Sequence, residues 1–421
     1  MIAPTGDAGF SRLAPDTPDA HGVLKTAREH VRAGDLAAAL ALLAGPECRD
    51  TPLAGLLRAD LLLGRGMVHE AEELALALGR DHGDTAQGLL CAGHAALARG
   101  DRAAARERFA RAAAADPGRL AARVNAAALA APVPADTPAG LTAAAVTSLP
   151  PTAGGRHREA LASLAAAGFS PIVSVNAPRE IDGLRRVFPD VAFAAARAGA
   201  AERDFGRPYA AIDDLLAAGA AAGTDCVAVI NADVAIAASP GFAARLARDA
   251  RGGAVVACRA DVAGTASPDG LYYDVGFDLC AVDAALAGRL DMAGLHLGLP
   301  WWDYALPLAV AAAGGAPRFA PAPVLRHPAH AQSWSHRAFL DLGRLFVRRF
   351  CPEAAAFLFP AGETAASGEA EACLAGIGAR MATHLRRLPG ARPEQVPAFC
   401  PHDPAYAAAA LPLTRVAFTR P

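Results

Sequence analysis

Cys226-Val227-Ala228-Val229-Ile230-Asn231-Ala232-Asp233 is an apolar run of strand length that closes on a polar tripeptide, delivering one carboxylate where the run stops. A continuous apolar run of this length reads as a strand buried on both faces, as in a parallel sheet covered by helices. In open α/β sheets ligands sit outside the carboxyl ends of the strands, and an acidic residue on that rim can hold a divalent cation against a diphosphate. A solvated turn after a core strand gives the same tripeptide without chemistry. The flanking sequence weighs between the two.

Apolar runs at 143–149, 171–175, 191–196 and 254–258 accompany it, and 155–167, 180–187, 209–222 and 242–250 between them carry helical spacing. That alternation predicts a mostly parallel sheet with helices on both faces. Thr147 and Ser148 end the first strand, Asn176 the second and Asp233 the fourth. Hydrogen-bonding side chains from three strands therefore converge on one crevice if the strand order cooperates. Arg207-Pro208-Tyr209 is expected to open a helix through Pro208, with Asp213 and Asp214 one turn on. Arg207 is then placed to meet a phosphate or a base, or is simply a solvated charge at a helix start.

Two later constellations carry chemistry. In Gly298-Leu299-Pro300-Trp301-Trp302-Asp303-Tyr304 two indoles stand beside an acid. Trp rings stack on the apolar faces of sugars, and a carboxylate among them is partly desolvated and more basic. A helix N-terminus, with Asp303 favoured by the helix dipole and the Trp residues in the core, reads the same segment and is compatible with it. In His327-Pro328-Ala329-His330 the first histidine follows an apolar run and is the expected metal ligand, while His330 is read as a phosphate partner. Tyr272, Tyr273 and Asp274 precede a further apolar run at 275–282 and line a pocket or pack on the sheet.

The 421 residues are 53% apolar, enough for two or three domains with sizeable cores. Forty basic against forty-two acidic side chains leave a charge of −2, so no global field recruits nucleic acid or an anionic membrane. Lys25 is the sole lysine, which excludes a Walker-type phosphate loop and Schiff-base chemistry outside the N-terminal region. Eight scattered cysteines read as reduced core residues. Asp7, Pro4, Pro15 and Pro18 stand where a signal peptide would need a basic start and an apolar stretch. With no apolar run of about 18 residues to form a transmembrane segment, the expectation is a cytoplasmic protein.

Residues 21–131 read as helix, turn, helix, with Gly34-Asp35, Gly66 and Gly100-Asp101 marking turns at a near-constant period. Gly93, Ala105, Phe109, Ala112 and Pro117 make the third unit the clearest, small residues letting two helices approach and Phe109 filling the groove. In the second unit Ala75 stands where the large residue belongs, leaving Leu74 or Leu76 to fill it. The region resembles three tetratricopeptide (TPR) repeats followed by a capping helix near 120–129, which implies a scaffold able to dock a protein partner. An ordinary helical hairpin bundle is the other reading. Residues 1–20 are expected to be disordered, 132–140, with Pro132, Pro134 and Pro138, to be a linker, and 351–421 to form a helical extension.

Residues 141–350 resemble a nucleotide-sugar-dependent glycosyltransferase of the GT-A fold, on the strand ending in Asn-Ala-Asp, the Trp-Trp-Asp-Tyr segment and the late His-Pro-x-His. The resemblance implies an α/β, Rossmann-like domain. It implies a donor site at Thr147, Ser148, Asn176, Arg207, Asn231 and Asp233, with Mn2+ or Mg2+ held by Asp233 and His327. Asn231 stands where such enzymes more often have a first aspartate. Asp303 becomes the catalytic base if the anomeric centre is inverted, with Trp301, Trp302 and Tyr273 lining the acceptor site. A sugar-nucleotide pyrophosphorylase relies on a glycine-rich loop with arginine and lysine where this chain reads Thr147-Ser148-Leu149-Pro150-Pro151. A Rossmann dehydrogenase needs a Gly-x-Gly-x-x-Gly that is missing after the first strand. The alternative function is a non-catalytic TPR scaffold with a degenerate nucleotide-sugar-binding domain.

Overall fold

Helices α1 (Pro18–Arg32), α2 (Leu36–Leu43), α3 (Pro52–Gly64), α4 (Val68–His82), α5 (Ala86–Ala98) and α6 (Arg102–Ala115) pack in consecutive pairs, and α3 also packs on α5. The turn inside each pair closes in one way. The amides of Asp35, Met67 and Asp101 reach back to the carbonyls of His30, Leu62 and Ala96, the longer bond of a Schellman motif. Gly66 and Gly100 supply the left-handed residue there, at φ +78° and +83°. Asp35 and Asp101 then cap the following helix, accepting the Ala38 and Ala104 amides at 3.0 Å. Gly93 lies so close to the buried Phe109 ring that a Cβ would collide with it. In α4, Ala75 is buried with Leu74 and Leu76 partly buried around it.

The computed structural model describes residues 18–116 and 140–350, except 33–34, 198–199, 239, 263–268, 274–275, 329 and 331–333, and beyond these only short segments such as 372–378. They fall into two compact units, one within Met1–Ala131 with Pro268–Tyr272 and Pro397–Pro421, the other within Pro132–Ser267 and Tyr273–Val396. Most of the expected N-terminal tail, linker and 351–421 extension lies outside the described residues, but 18–20 already belong to α1 instead of a disordered tail. Of the expected capping helix Ala122, Asn125, Ala126 and Leu129 are described; they are helical, and Ala122 and Leu129 are buried in one cluster with Phe109. In the expected helical extension 372–378 are helical, whereas Phe399–Pro401 and Leu413–Phe418 pair as antiparallel strands. Among the described residues no helix is long and apolar enough to cross a membrane.

The second unit runs β1 (Ala143–Thr147), α7 (Gly155–Ala166), β2 (Ile172–Asn176), α8 (Pro178–Val187), β3 (Ala192–Ala195), α9 (Ala200–Phe205), α10 (Ile212–Ala221), β4 (Cys226–Ile230), β5 (Ala235–Ile236), α11 (Phe242–Ala250), β6 (Gly253–Val262), β7 (Leu279–Asp283), α12 (Ala284–Ala287), α13 (Trp302–Ala312), β8 (Ala316–Pro328) and α14 (His336–Phe350). Its strands lie in the order β3-β2-β1-β4-β7-β6-β8. The first four are parallel. β7 is antiparallel to both neighbours, and β8 is parallel to β6 while pairing antiparallel with β5. The result is a Rossmann-like α/β sheet in which parallel pairs prevail.

Alternation along the strands sorts the core. Ala143, Ala145, Cys226, Ala228 and Ile230 share one cluster with Leu161 and Leu164 of α7, Leu184 of α8 and Phe242 and Leu246 of α11. On the other face Gly219 of α10 presses on Val146 and Val227 with no room for a Cβ. The chain leaves β1 towards β2 and β3, then returns to β4 on the other side of β1. This reversal opens a crevice at the carboxyl ends of β1 and β4.

Two local expectations are corrected. The strand expected at 254–258 continues to Val262, which brings Arg259 and Asp261 into the sheet. Pro208 does not open a helix: α10 begins at Ile212, because the Ala210 carbonyl accepts the Leu297 amide and the Ile212 amide donates to Leu295, both at 3.0 Å. These bonds hold 210–212 against 295–297 and delay the helix.

Candidate active site

β4 stops at Ile230 because a turn closed by the Val234 amide on the Asn231 carbonyl redirects the chain into β5. Pairing of β5 with β8 sets Ala235 opposite Arg326. His327 is the next residue of β8, and the register of β8 on β6 sets it opposite Asp261. Asp233, Asp261 and His327 thus meet through strand pairing. His327 Nδ1 lies 2.9 Å from Asp261 Oδ1, and its Nε2 lies 3.7 Å from Asp233 Oδ2. His330 Nε2 is 2.9 Å from the same Asp233 oxygen.

The ligand atoms of Asp233, His327 and His330 lie within 4.8 Å of one another. Two atoms bonded to one ion at about 2.1 Å stand at most about 4.2 Å apart, so a slight closure of the group lets one ion take all three. One carboxylate oxygen and two imidazole nitrogens suit a divalent cation of the Mn2+ class, so the residues fit the cation that the resemblance implies. Burial works against the charge of Asp233, but His327, His330 and Arg156 hold its carboxyl below its ordinary value. Arg156 Nε, from the first turn of α7, stands 3.8 Å from Asp233. The crevice is therefore bounded by the start of α7 as well as by the end of β4.

A second network adjoins this cluster. Arg259 donates from Nε to Asp261 at 2.7 Å and from Nη1 to both oxygens of Asp278 at 2.8 Å. Asn231 Nδ2 donates to Asp278 Oδ1 at 2.7 Å. The Arg259 guanidinium also lies 4.1 Å above the Tyr273 ring, a cation–π contact. Although burial disfavours its charge, Asp278 and Asp261 raise the Arg259 pKa above its ordinary value.

Asn231, Arg259 and Asp278 form one end of a cavity of about 380 Å3, whose remaining wall includes Tyr273, Trp301, Trp302, Asp303, Trp334 and Phe339. Asp303 is in the first turn of α13 and accepts the Phe277 amide at 3.1 Å. Burial pushes its carboxyl up to about 7, with Asp278 adding to the rise and the Phe277 N–H opposing it. Such a carboxyl exchanges protons near neutrality, which suits a general base. Trp301, which caps α13, has φ +81°, unique among the described non-glycine residues. Its conformation, costing about 1–3 kcal/mol, is imposed by the indole N–H bond to the Phe339 carbonyl at 2.9 Å and by contacts with the rings of Tyr304, Phe339 and Phe346.

The structure brings Asp233 and His327 together, and gathers Asn231, Tyr273, Trp301, Trp302 and Asp303 around the cavity. The two indoles are 2% and 3% exposed, so most of each ring is core. Thr147 is buried at the end of β1, its Oγ1 without a hydrogen-bond partner, and Ser148 follows it half-buried. Asn176 holds the loop after β1: it donates to the Leu149 carbonyl at 2.7 Å and accepts from Ser174 at 2.6 Å. Arg207 is exposed on the segment before α10. Sequence reasoning missed His330 as a third ligand atom, and it missed Arg156, Arg259, Asp261 and Asp278. The available signal was Arg259-x-Asp261 extending an apolar strand, since charged residues are rarely buried unless paired.

No family model matches this sequence, and no curated protein matches it. Among solved structures, the chain is similar to the mannosyltransferase PcManGT of Pyrobaculum calidifontis in complex with GDP-Man and Mn2+. The two are 15% identical over 77% of this chain and 98% of that one, with a TM-score of 0.33. It is also similar to the 4-diphosphocytidyl-2C-methyl-D-erythritol synthase of Anaerococcus prevotii, at 10% identity over 35% of this chain and 72% of that one, with a TM-score of 0.23.

Proposed function

We propose that this chain is a divalent-metal-dependent glycosyltransferase that moves a sugar from a nucleotide-sugar donor to a hydroxyl acceptor. The observation that carries the reading is the meeting of Asp233, His327 and His330 at the crevice between β1 and β4, where sheets of this kind bind nucleotides. In this reading a cation held by those three side chains supplies neutralisation of charge on the donor diphosphate as the anomeric bond breaks. Arg156, beside Asp233, adds a fixed positive charge on the same side. Ser148 faces the nucleotide from the end of β1, where the expected donor contact Thr147 is fully buried, Asn176 keeps the loop in place, and Arg207 meets the donor from the rim.

The cavity is the acceptor site. Tyr273 lines it with Trp301 and Trp302, whose largely buried rings shape its apolar wall for a sugar ring. Asp303 takes the acceptor proton, its ionised form being available above about pH 7. Asn231 stands between the two sites and, through Asp278, shapes the wall they share. Helices α1–α6 are read as three TPR-type repeats, on the strength of the repeated turn and the Gly93–Phe109 contact, and serve to dock a protein partner. The domain division is that of the sequence, with the transferase within 141–350.

Thermal stability against a panel of nucleoside-diphosphate sugars, with and without Mn2+, tests the reading in wild type and Asp233→Ala. A ligand at one hundred times its Kd stabilises the native state by about 2.7 kcal/mol. The expected result is a rise that requires Mn2+ and one nucleotide and vanishes in the variant. No rise with any donor overturns the reading in favour of the non-catalytic scaffold, a function that Asn231 in place of a carboxylate would suit.

A further inference from the structure

Two carboxylates, Asp261 and Asp278, and the Arg259 guanidinium that joins them adjoin the cation cluster without belonging to its ligand atoms, and their arrangement is specific. His327 presents Nδ1 to Asp261 at 2.9 Å and Nε2 towards Asp233 at 3.7 Å. A carboxylate at Nδ1 accepts the proton there, which leaves the Nε2 lone pair facing Asp233 and available to a metal. Asp261 is itself fixed, because Arg259 donates to it at 2.7 Å while gripping Asp278 with two bonds at 2.8 Å. The pairing of Asp261 with His327 follows from the β6–β8 register, so it does not depend on a flexible loop.

We propose that Asp261 is a positioning residue for the cation site, holding the His327 imidazole in the tautomer that points Nε2 at Asp233, and that Arg259 locks this orientation to the cavity wall through Asp278. The inference rests on the cation site of the proposed function, and on no sugar or acceptor. Partners of this kind orient a ligating histidine and raise its basicity, and losing one typically weakens metal binding by about 10–100-fold. Asp278 takes the Asn231 amide and the Arg259 guanidinium together. The orientation of the histidine and the wall of the cavity are thereby parts of one network.

The test uses the full chain and Mn2+ alone, followed by loss of the free-ion EPR signal. Asp261→Asn is expected to weaken Mn2+ binding by about 10–100-fold, with the metal-free melting temperature close to wild type and partial recovery in Asp261→Glu. 15N-histidine NMR of the metal-free wild type, with His327 assigned by His327→Gln, gives a readout that needs no variant at Asp261. The expected signature is His327 protonated at Nδ1. Binding within threefold of wild type in Asp261→Asn while His327→Gln loses it, or a His327 protonated at Nε2, overturns the proposal. Unchanged Mn2+ binding in both Asp233→Ala and His327→Gln overturns it together with the cation site. Mn2+ binding that depends on Asp261 without any sugar transfer supports it and removes only the glycosyltransferase reading.

Discussion

Asn231 Nδ2 donates to Asp278 Oδ1 at 2.7 Å, so the two polar residues of Asn231-Ala232-Asp233 face different tasks. Asp233 turns to the histidines, and Asn231 turns to a buried acid already held by Arg259. A carboxamide is the side chain that can donate here.

Restoring an Asp-x-Asp sequence with Asn231→Asp is therefore expected to harm the protein. It sets a carboxylate against the Asp278 carboxylate, exchanging a hydrogen bond for repulsion between two acids that share one guanidinium, at a cost of about 1–3 kcal/mol. One of the two acids should titrate well above its usual range. Urea unfolding at pH 8 and pH 5 checks this, with the deficit larger at pH 8; stability equal to wild type at both values refutes it.

Asp303 sets a pH dependence of stability with a definite sign. Its carboxyl rises from the ordinary aspartate value of 3.8 to about 7 in the fold. Between these values the native state retains a proton that the unfolded chain releases. This group's contribution to stability therefore falls as pH rises through that window and is level above it. Asp303→Asn keeps an acceptor for the Phe277 amide and removes the titration, so the variant should gain on wild type as pH rises from 4 to 7. Parallel denaturation series measure the difference.

Activity should respond to the same residue in the opposite sense. In the role of base proposed for it, Asp303 must be ionised, so transfer by wild type is expected to rise through about pH 7. Asp303→Asn should lower kcat by about 10²–10⁴-fold while leaving donor-dependent thermal stabilisation in place. Full turnover in this variant assigns the proton transfer elsewhere.

The helical unit has its own sensitive point in the Gly93–Phe109 contact. Gly93→Ala forces a methyl group into the Phe109 ring and should cost about 1–3 kcal/mol. Phe109→Ala empties a buried site and should cost about 3–5 kcal/mol. Because the two residues touch, the double variant should cost less than the sum, in a double-mutant cycle read by circular dichroism.

Much of the scaffold could be read from local pattern. The strand at Cys226–Ile230 and the helix at Phe242–Ala250 were legible to the residue. The turns at Gly66 and Gly100 were legible because a left-handed residue between two helices calls for glycine. The helix expected at Pro208 failed because backbone bonds to residues 295 and 297 competed with it, and nothing near Pro208 encodes those partners.

The sequence by itself determined the alternation of strand and helix, the repeated helical turns and the carboxylate at the end of β4. Each of these follows from side-chain period or glycine geometry within a few residues. Tertiary structure alone decided that Asp261 lies against His327, that His330 joins Asp233, and that Arg259 binds Asp261 and Asp278 together. Periodicity says which face of a strand is buried. Strand order and register say which residues share that face, and they are fixed by the packing of the whole sheet.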